Sequence, residues 1–188
     1  SAVAAALDDE ATISTDVGQH QMWVAQAYPL RRPRQWLTSG GLGTMGFGVP
    51  AAIGAALAEP QRTVVCFSGD GSILMNIQEL VTAAEEGANV KIVLMNNATL
   101  GLVHQQQTLF YGERIYASKF KAMPDFIKVA EGFGIRAVDL DQAEQPRAAL
   151  ADALNNRGPC LIHASIDMHE KVYPMVPPGA SNKDMIGG

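Results

Sequence analysis

The sequence predicts an α/β domain: a three-layer α/β/α sandwich around a mostly parallel sheet of about six strands. Three observations carry this. Short runs rich in β-branched and small apolar residues alternate with segments whose apolar residues recur at helical spacing. Glycine and polar residues with ligand chemistry follow the strand-like runs, where the crevice above a parallel sheet collects them. Finally, 47% hydrophobic content in 188 residues is enough for one sizeable core.

The chain begins at Ser1, with no initiator Met and no signal-peptide pattern, and Ala2 to Leu7 is a short apolar piece before Asp8-Asp9-Glu10. Residues 1–11 are therefore expected to be an interdomain remnant, and the chain a fragment of a longer protein. Thr12 to Thr15 reads as a strand, Asp16-Val17-Gly18 as a turn, and Gln19 to Ala27 as a helix. Gln19 and His20 then sit at the helix N-terminus, and from the residues alone His20 and Gln21 are a polar helix start facing water. Leu30 to Arg34 is a small basic surface loop. Trp36 and Leu37 lead, without a good hydrophobic strand, into a glycine cluster over 40–48.

A helix from Val49 to Ala58 and a strand from Thr63 to Ser68 follow. Asn76 to Glu86 places Ile77, Leu80, Val81 and Ala84 at helical spacing, with Asn76 as N-cap, and Val90 to Met95 is a second apolar strand. Leu102 to Leu109 is a helix whose Gln105-Gln106-Gln107 face reads as solvated. Phe110 to Lys121 is a surface loop. Met123-Pro124-Asp125-Phe126 opens a helix through Ala130, Ile135 to Leu140 is a strand, Glu144 to Asn155 an amphipathic helix, and Cys160 to Ile166 the last strand. His163, inside that strand, reads as a packed or satisfied histidine rather than a catalyst. Residues 169–188 form a Pro- and Gly-rich arm after a main domain over 12–168.

The most informative stretch runs from Gly69 to Thr99. Strand, helix and strand make one βαβ unit, whose parallel strands lie about 4.8 Å apart when adjacent. Asp70 leaves the end of the first strand and Asn97 that of the second, 27 positions later, so a carboxylate and an amide oxygen meet at one point. Mg²⁺ takes octahedral oxygen coordination and only one or two protein side chains, the rest being water and phosphate. One Asp, one Asn and a main-chain carbonyl meet that demand. Gly69 and Gly71 let backbone approach a phosphate, and Ser72 with the helix behind it offers amide N–H groups. A Mg²⁺-bridged diphosphate is the ligand this pattern predicts.

A rival pattern overlaps it. Gly41, Gly43 and Gly46 spell G-x-G-x-x-G before a helix, a strand and Asp70, as in a Rossmann dinucleotide-binding domain. Against it stand the poor strand before Gly40, the position of Asp70 between two glycines, and the unexplained Asn96-Asn97.

Gly69-Asp70-Gly71 followed at this interval by Asn96-Asn97 resembles the signature of thiamine-diphosphate (ThDP) enzymes. Asp16-Val17-Gly18-Gln19-His20-Gln21-Met22-Trp23 is similar to the run that opens the cofactor domain of acetohydroxyacid (acetolactate) synthases, and Met175-Val176-Pro177-Pro178-Gly179 to their C-terminal arm. Asn96 to Tyr111 most resembles the enterobacterial isozyme I type. The resemblance covers Thr12 to Pro178 and implies the ThDP-binding fold, with ThDP and Mg²⁺ held here and FAD bound by the full-length enzyme. It implies that Gln19, His20, Gly69, Gly71, Ser72, Asn97, Gly101 and Leu102 surround the diphosphate. The Gly43 carbonyl and Met45 amide would hold the aminopyrimidine ring, and the Met45 side chain would wedge the cofactor into its bent form. Asp70, Asn97 and the Thr99 carbonyl would ligate Mg²⁺. Gln106 stands where many of these synthases carry a tryptophan lining the pocket for the second 2-oxo acid.

The implied reaction is decarboxylation of pyruvate and ligation of the hydroxyethyl unit to pyruvate or 2-oxobutyrate, the start of branched-chain amino-acid synthesis. Glyoxylate carboligase, catabolic acetolactate synthase and pyruvate oxidase share the cofactor domain and are the close alternatives. A non-catalytic ThDP-binding or assembly domain is the alternative of another class. The family also implies a catalytic glutamate on a separate domain across a homodimer interface, so that this fragment alone is expected to be inactive, and a small regulatory subunit as partner. A net charge of −5 with no basic cluster leaves nothing to neutralise a nucleic-acid backbone, and the apolar runs are too short to span a bilayer. Cys66 and Cys160 lie in strand-like runs as buried reduced thiols, which predicts a cytoplasmic setting.

Overall fold

Six parallel strands build one sheet in the order β2-β1-β3-β4-β6-β5: β1 (Thr12–Thr15), β2 (Trp36–Thr38), β3 (Val64–Gly69), β4 (Val90–Asn96), β5 (Arg136–Asp139) and β6 (Cys160–Ser165). The computed structural model describes residues 2–187; Ser1 and Gly188, the outer ends of the two flanking segments expected from the sequence, lie outside the described residues. β3 and the first part of β4 are apolar without alternation because both faces of the sheet are covered. Successive side chains point to opposite faces of a strand. Val64, Cys66, Val90, Ile92 and Leu94 therefore pack with α3 (Gly48–Ala58), α5 (Glu79–Glu85) and α7 (Phe126–Gly132) on one side. Val65, Phe67, Val93 and Ile162 pack with α1 (Ala2–Ala6), α2 (Gln19–Ala27) and α8 (Pro146–Asn155) on the other. This is the expected three-layer sandwich. The two remaining helices, α4 (Asp70–Ile73) and α6 (Gly101–Phe110), start at the carboxyl edge of the sheet.

β3 and β4 are neighbours in register from Val64↔Val90 to Gly69↔Met95, as the βαβ reading requires. Two local expectations are corrected. The run before the glycine cluster is a strand after all: β2 is a three-residue edge strand, half-buried, paired with β1 from Ile13↔Trp36 to Thr15↔Thr38. An edge strand covered by few neighbours needs no long apolar run, and the Trp36 indole is anchored by a hydrogen bond to Thr15 Oγ1 (3.0 Å). β1 separates β2 from β3, so the glycine loop does not join adjacent strands as a dinucleotide fingerprint does. The helix expected over Asn76 to Glu86 starts only at Glu79, because Asn76 does not cap it: its Nδ2 donates to the Gly46 carbonyl (2.6 Å) and ties down the glycine loop. The apolar N-terminal piece is helix α1, with Val3 buried in the core.

Candidate functional site: a cleft above the central strand ends

β1, β3 and β4 end side by side, and the chain leaving each turns into a helix: α2 after Gly18, α4 after Gly69, α6 after Leu100. The first N–H groups of a helix have no partner within it and carry its positive dipole end. Three such ends face one cleft of about 190 Å³. Gln19, His20, Gly43, Met45, Gly69, Asp70, Gly71, Ser72, Asn97, Thr99, Gly101, Leu102 and Gln106, every site residue expected from the sequence, line it.

Asp70 is 2% exposed. One carboxylate oxygen accepts the Gly71 N–H (2.7 Å) and the other the Asn97 N–H (3.2 Å), so the ends of β3 and β4 are linked at this side chain. A carboxylate has about four acceptor sites, and these two bonds leave room for a cation. Burial pushes the Asp70 carboxyl above its ordinary range, against the opposing pull of the amides of Gly71, Ala98, Asn97 and Thr99. A divalent cation would reverse that shift by balancing the buried charge. The Asn97 Oδ1 accepts from the Thr99 amide (3.1 Å) and hydroxyl (3.0 Å), which closes the turn that brings Thr99 to the cleft.

Gln19 and His20 are both buried, which corrects the water-facing reading of His20 by residue type. Burial drives His20 down to about 4, so the ring is neutral near pH 7, with a hydrogen bond to the Asp16 carbonyl. Among the described residues its Nε2 is buried without a partner, an orphaned polar atom of the kind a ligand resolves. In this arrangement the Gln19 amide is spent on protein. Its Nε2 donates to Gln105 Oε1 (2.8 Å) and the Glu170 carbonyl (2.9 Å), and its Oε1 accepts from Asn97 Nδ2 (3.2 Å). Ser72 Oγ likewise donates to the Val17 carbonyl (3.0 Å). A Cβ at Gly101 would overlap Gln19 Oε1 and stand 2.7 Å from Asn97 Nδ2, so glycine is required where α6 meets this network. Met45 belongs to neither hydrophobic cluster among the described residues and borders the cleft, which removes core filling as its role.

Two residues that position the cleft escaped the sequence reading. Asp16, fully buried at the end of β1, accepts from Val17 N (2.9 Å), Gly46 N (2.8 Å) and Gly48 N (3.1 Å) and latches the glycine loop. Its signal was an Asp directly after a strand, the same as that of Asp70. Gln105 is buried rather than solvated: it receives Gln19 and exchanges two hydrogen bonds with the Val172 backbone (2.8 and 2.9 Å), docking the C-terminal arm. Nothing in a run of three glutamines marked the first one.

A parallel α/β sheet with a buried carboxylate and three helix N-termini above its central strand ends defines the class of domain, one whose cleft could hold an anionic ligand together with a cation. The family profile "Thiamine pyrophosphate enzyme, C-terminal TPP binding domain" matches residues 16–164, and the chain belongs to that family. It is 63% identical over 186 residues to the acetolactate synthase isozyme 1 large subunit of Escherichia coli (strain K12), covering 99% of this chain and 33% of that protein. Identity to the isozyme 2 large subunit of the same organism is 51% over 177 residues, covering 94% and 32%. Identity to the acetolactate synthase large subunit of Parasynechococcus marenigrum (strain WH8102) is 51% over 182 residues, covering 96% and 29%. The chain thus spans about a third of the length of these relatives. Among the described residues, no helix is long and apolar enough to cross a membrane.

Proposed function

We propose that residues 12–168 are the ThDP- and Mg²⁺-binding domain of an acetohydroxyacid synthase large subunit. That enzyme decarboxylates pyruvate and joins the two-carbon unit to pyruvate or 2-oxobutyrate. The observation that carries the reading is the buried Asp70 beside Asn97 in a cleft ringed by three helix N-termini. The N-termini favour the diphosphate, and the carboxylate favours the metal that neutralises it. In this reading Asp70, Asn97 and the Thr99 carbonyl hold Mg²⁺. Gly69, Gly71, Ser72, Gly101 and Leu102 offer backbone to the diphosphate, His20 offers Nε2, and Gln19 holds Asn97 in place. Gly43 and Met45 border the ring-binding end, and Gln106 faces the acceptor pocket.

When bound, ThDP supplies the electron sink for carbon–carbon bond cleavage and formation. The chain's own residues bind and orient it and keep water from the diphosphate end. Among the described residues Asp70 is the only carboxylate lining the cleft, so no acid here is left for proton transfer. A glutamate from another domain, brought across a homodimer interface, is consistent with that gap. A small regulatory subunit accords with the words "large subunit" in the relatives' names. FAD belongs to the full-length enzyme, and a cytoplasmic setting accords with Cys66 and Cys160 being buried and free.

Calorimetric titration of the chain with ThDP tests the reading: binding is expected only with Mg²⁺ present, and no binding at any Mg²⁺ concentration overturns it. The same saturated chain should form no acetolactate from pyruvate. Metal-dependent product from the pure chain would show that its catalytic groups are complete.

A further inference from the structure

The turn from Asn96 to Thr99 carries two of the three proposed metal-ligating positions, and it is held from outside the cleft. Ala98 sits in the left-handed region (φ +53°), which L side chains rarely adopt, so the turn persists only if neighbouring bonds fix it. One bond is internal: Asn96 Oδ1 accepts the Ala98 N–H (3.1 Å). The other end of the same amide faces away, with Asn96 Nδ2 3.1 Å from His163 Nε2 on β6. On its far side the imidazole faces two carboxylates, with Nδ1 3.1 Å from Asp139 Oδ1 and 3.5 Å from Asp141 Oδ2.

The chemistry of the partners fixes every proton in this chain. Carboxylates only accept, so Nδ1 carries the hydrogen; an amide nitrogen only donates, so Nε2 is bare and accepts from Asn96. With its nitrogen turned to His163, Asn96 must present its oxygen to Ala98. Asp139, Asp141 and His163 also have ligand atoms within 4.8 Å of one another, the spacing of a metal site. Their atoms are committed to protein, however: Asp141 accepts the Ser165 N–H at both oxygens (3.2 and 3.1 Å), and Asp139 Oδ1 accepts the Asp141 N–H (3.0 Å).

We propose that His163, oriented by Asp139 and Asp141, is a positioning residue that locks the Asn96 amide and through it the turn presenting Asn97 and Thr99 to the cation. The link to the cation rests on the proposed metal site; the lock on the turn does not. Three measurements test it. First, ¹⁵N spectra of the parent chain should show His163 with a protonated Nδ1 and a bare Nε2, and the opposite tautomer overturns the proposal without any variant. Second, His163→Leu should speed hydrogen exchange at the Ala98 amide about tenfold, the loss of one hydrogen bond, while His163→Gln, whose oxygen can accept from Asn96, stays near the parent. Unchanged Ala98 exchange in His163→Leu overturns it. Third, titration with ThDP and Mg²⁺ should show about tenfold weaker metal-dependent binding for His163→Leu and near-parental binding for His163→Gln. If the parent itself binds no ThDP, the metal-site reading falls, and the first two measurements still decide the lock.

Discussion

Asp16 and Asp70 stand at the ends of adjacent strands β1 and β3, both buried, both with carboxyls that burial raises above the ordinary range. They differ in what their oxygens still have to give. Asp16 accepts three backbone N–H groups, two of them from the glycine loop thirty residues away, and does not line the cleft. Asp70 accepts two bonds from β3 and β4 ends and faces the cleft. The same residue type in the same setting is thus a latch in one strand and a binding group in the next, and whether its carboxylate borders the cleft decides which.

That contrast predicts separable failures. Asp70→Ala should abolish Mg²⁺-dependent ThDP binding, by about 100-fold or more, with a small change in urea stability, since a costly buried charge is removed along with its bonds. An Asp70→Ala chain that bound ThDP with the parent's Mg²⁺ dependence would break the comparison. Asp16→Ala should cost about 3 kcal/mol of stability, because the buried N–H groups of Gly46 and Gly48 and the part-buried one of Val17 are left without an acceptor. Denaturant unfolding measures it, and a loss under about 1 kcal/mol would show that the loop needs no latch.

His20 lies between the two, its ring hydrogen-bonded to the Asp16 carbonyl and packed within 3.0 Å of where a Gly69 Cβ would stand. Its pKa falls from 6.5 in the unfolded chain to about 4 in the fold, so between those values the unfolded state binds more protons. Stability is therefore lost as pH falls from about 6.5 to 4, by up to roughly 3 kcal/mol. The difference between parent and His20→Gln unfolding curves isolates this, since Asp16 and Asp70, whose raised carboxyls act in the opposite direction, are common to both. A flat difference curve would mean that the ring is solvated. The smallest effect is at the mouth of the cleft, where Gln106 is exposed. In the full-length enzyme, Gln106→Trp should raise the preference for 2-oxobutyrate over pyruvate by about 1 kcal/mol, as one added methyl contact does in an apolar pocket. Competition between the two acceptors measures it, and an unchanged product ratio would place this side chain away from the acceptor.

The sequence by itself determined the layers, the parallel sheet and the meeting of Asp70 with Asn97. These follow from local periodicity and from the rule that consecutive parallel strands joined by a helix often lie adjacent, which β3 and β4 do. Only the tertiary structure decided the rest. It distinguished buried Gln105 from exposed Gln106, joined Asn76 to Gly46 instead of to its own helix, and placed Lys91 inside the sheet, its ammonium against the Gly158 carbonyl and its pKa lowered by burial to about 8. It also brought His163 to Asn96 across 67 residues of chain. Periodicity reports which face of an element is apolar, whereas the partner of a polar group is set by which distant segments close over it, and that information is carried by packing rather than by neighbours in sequence.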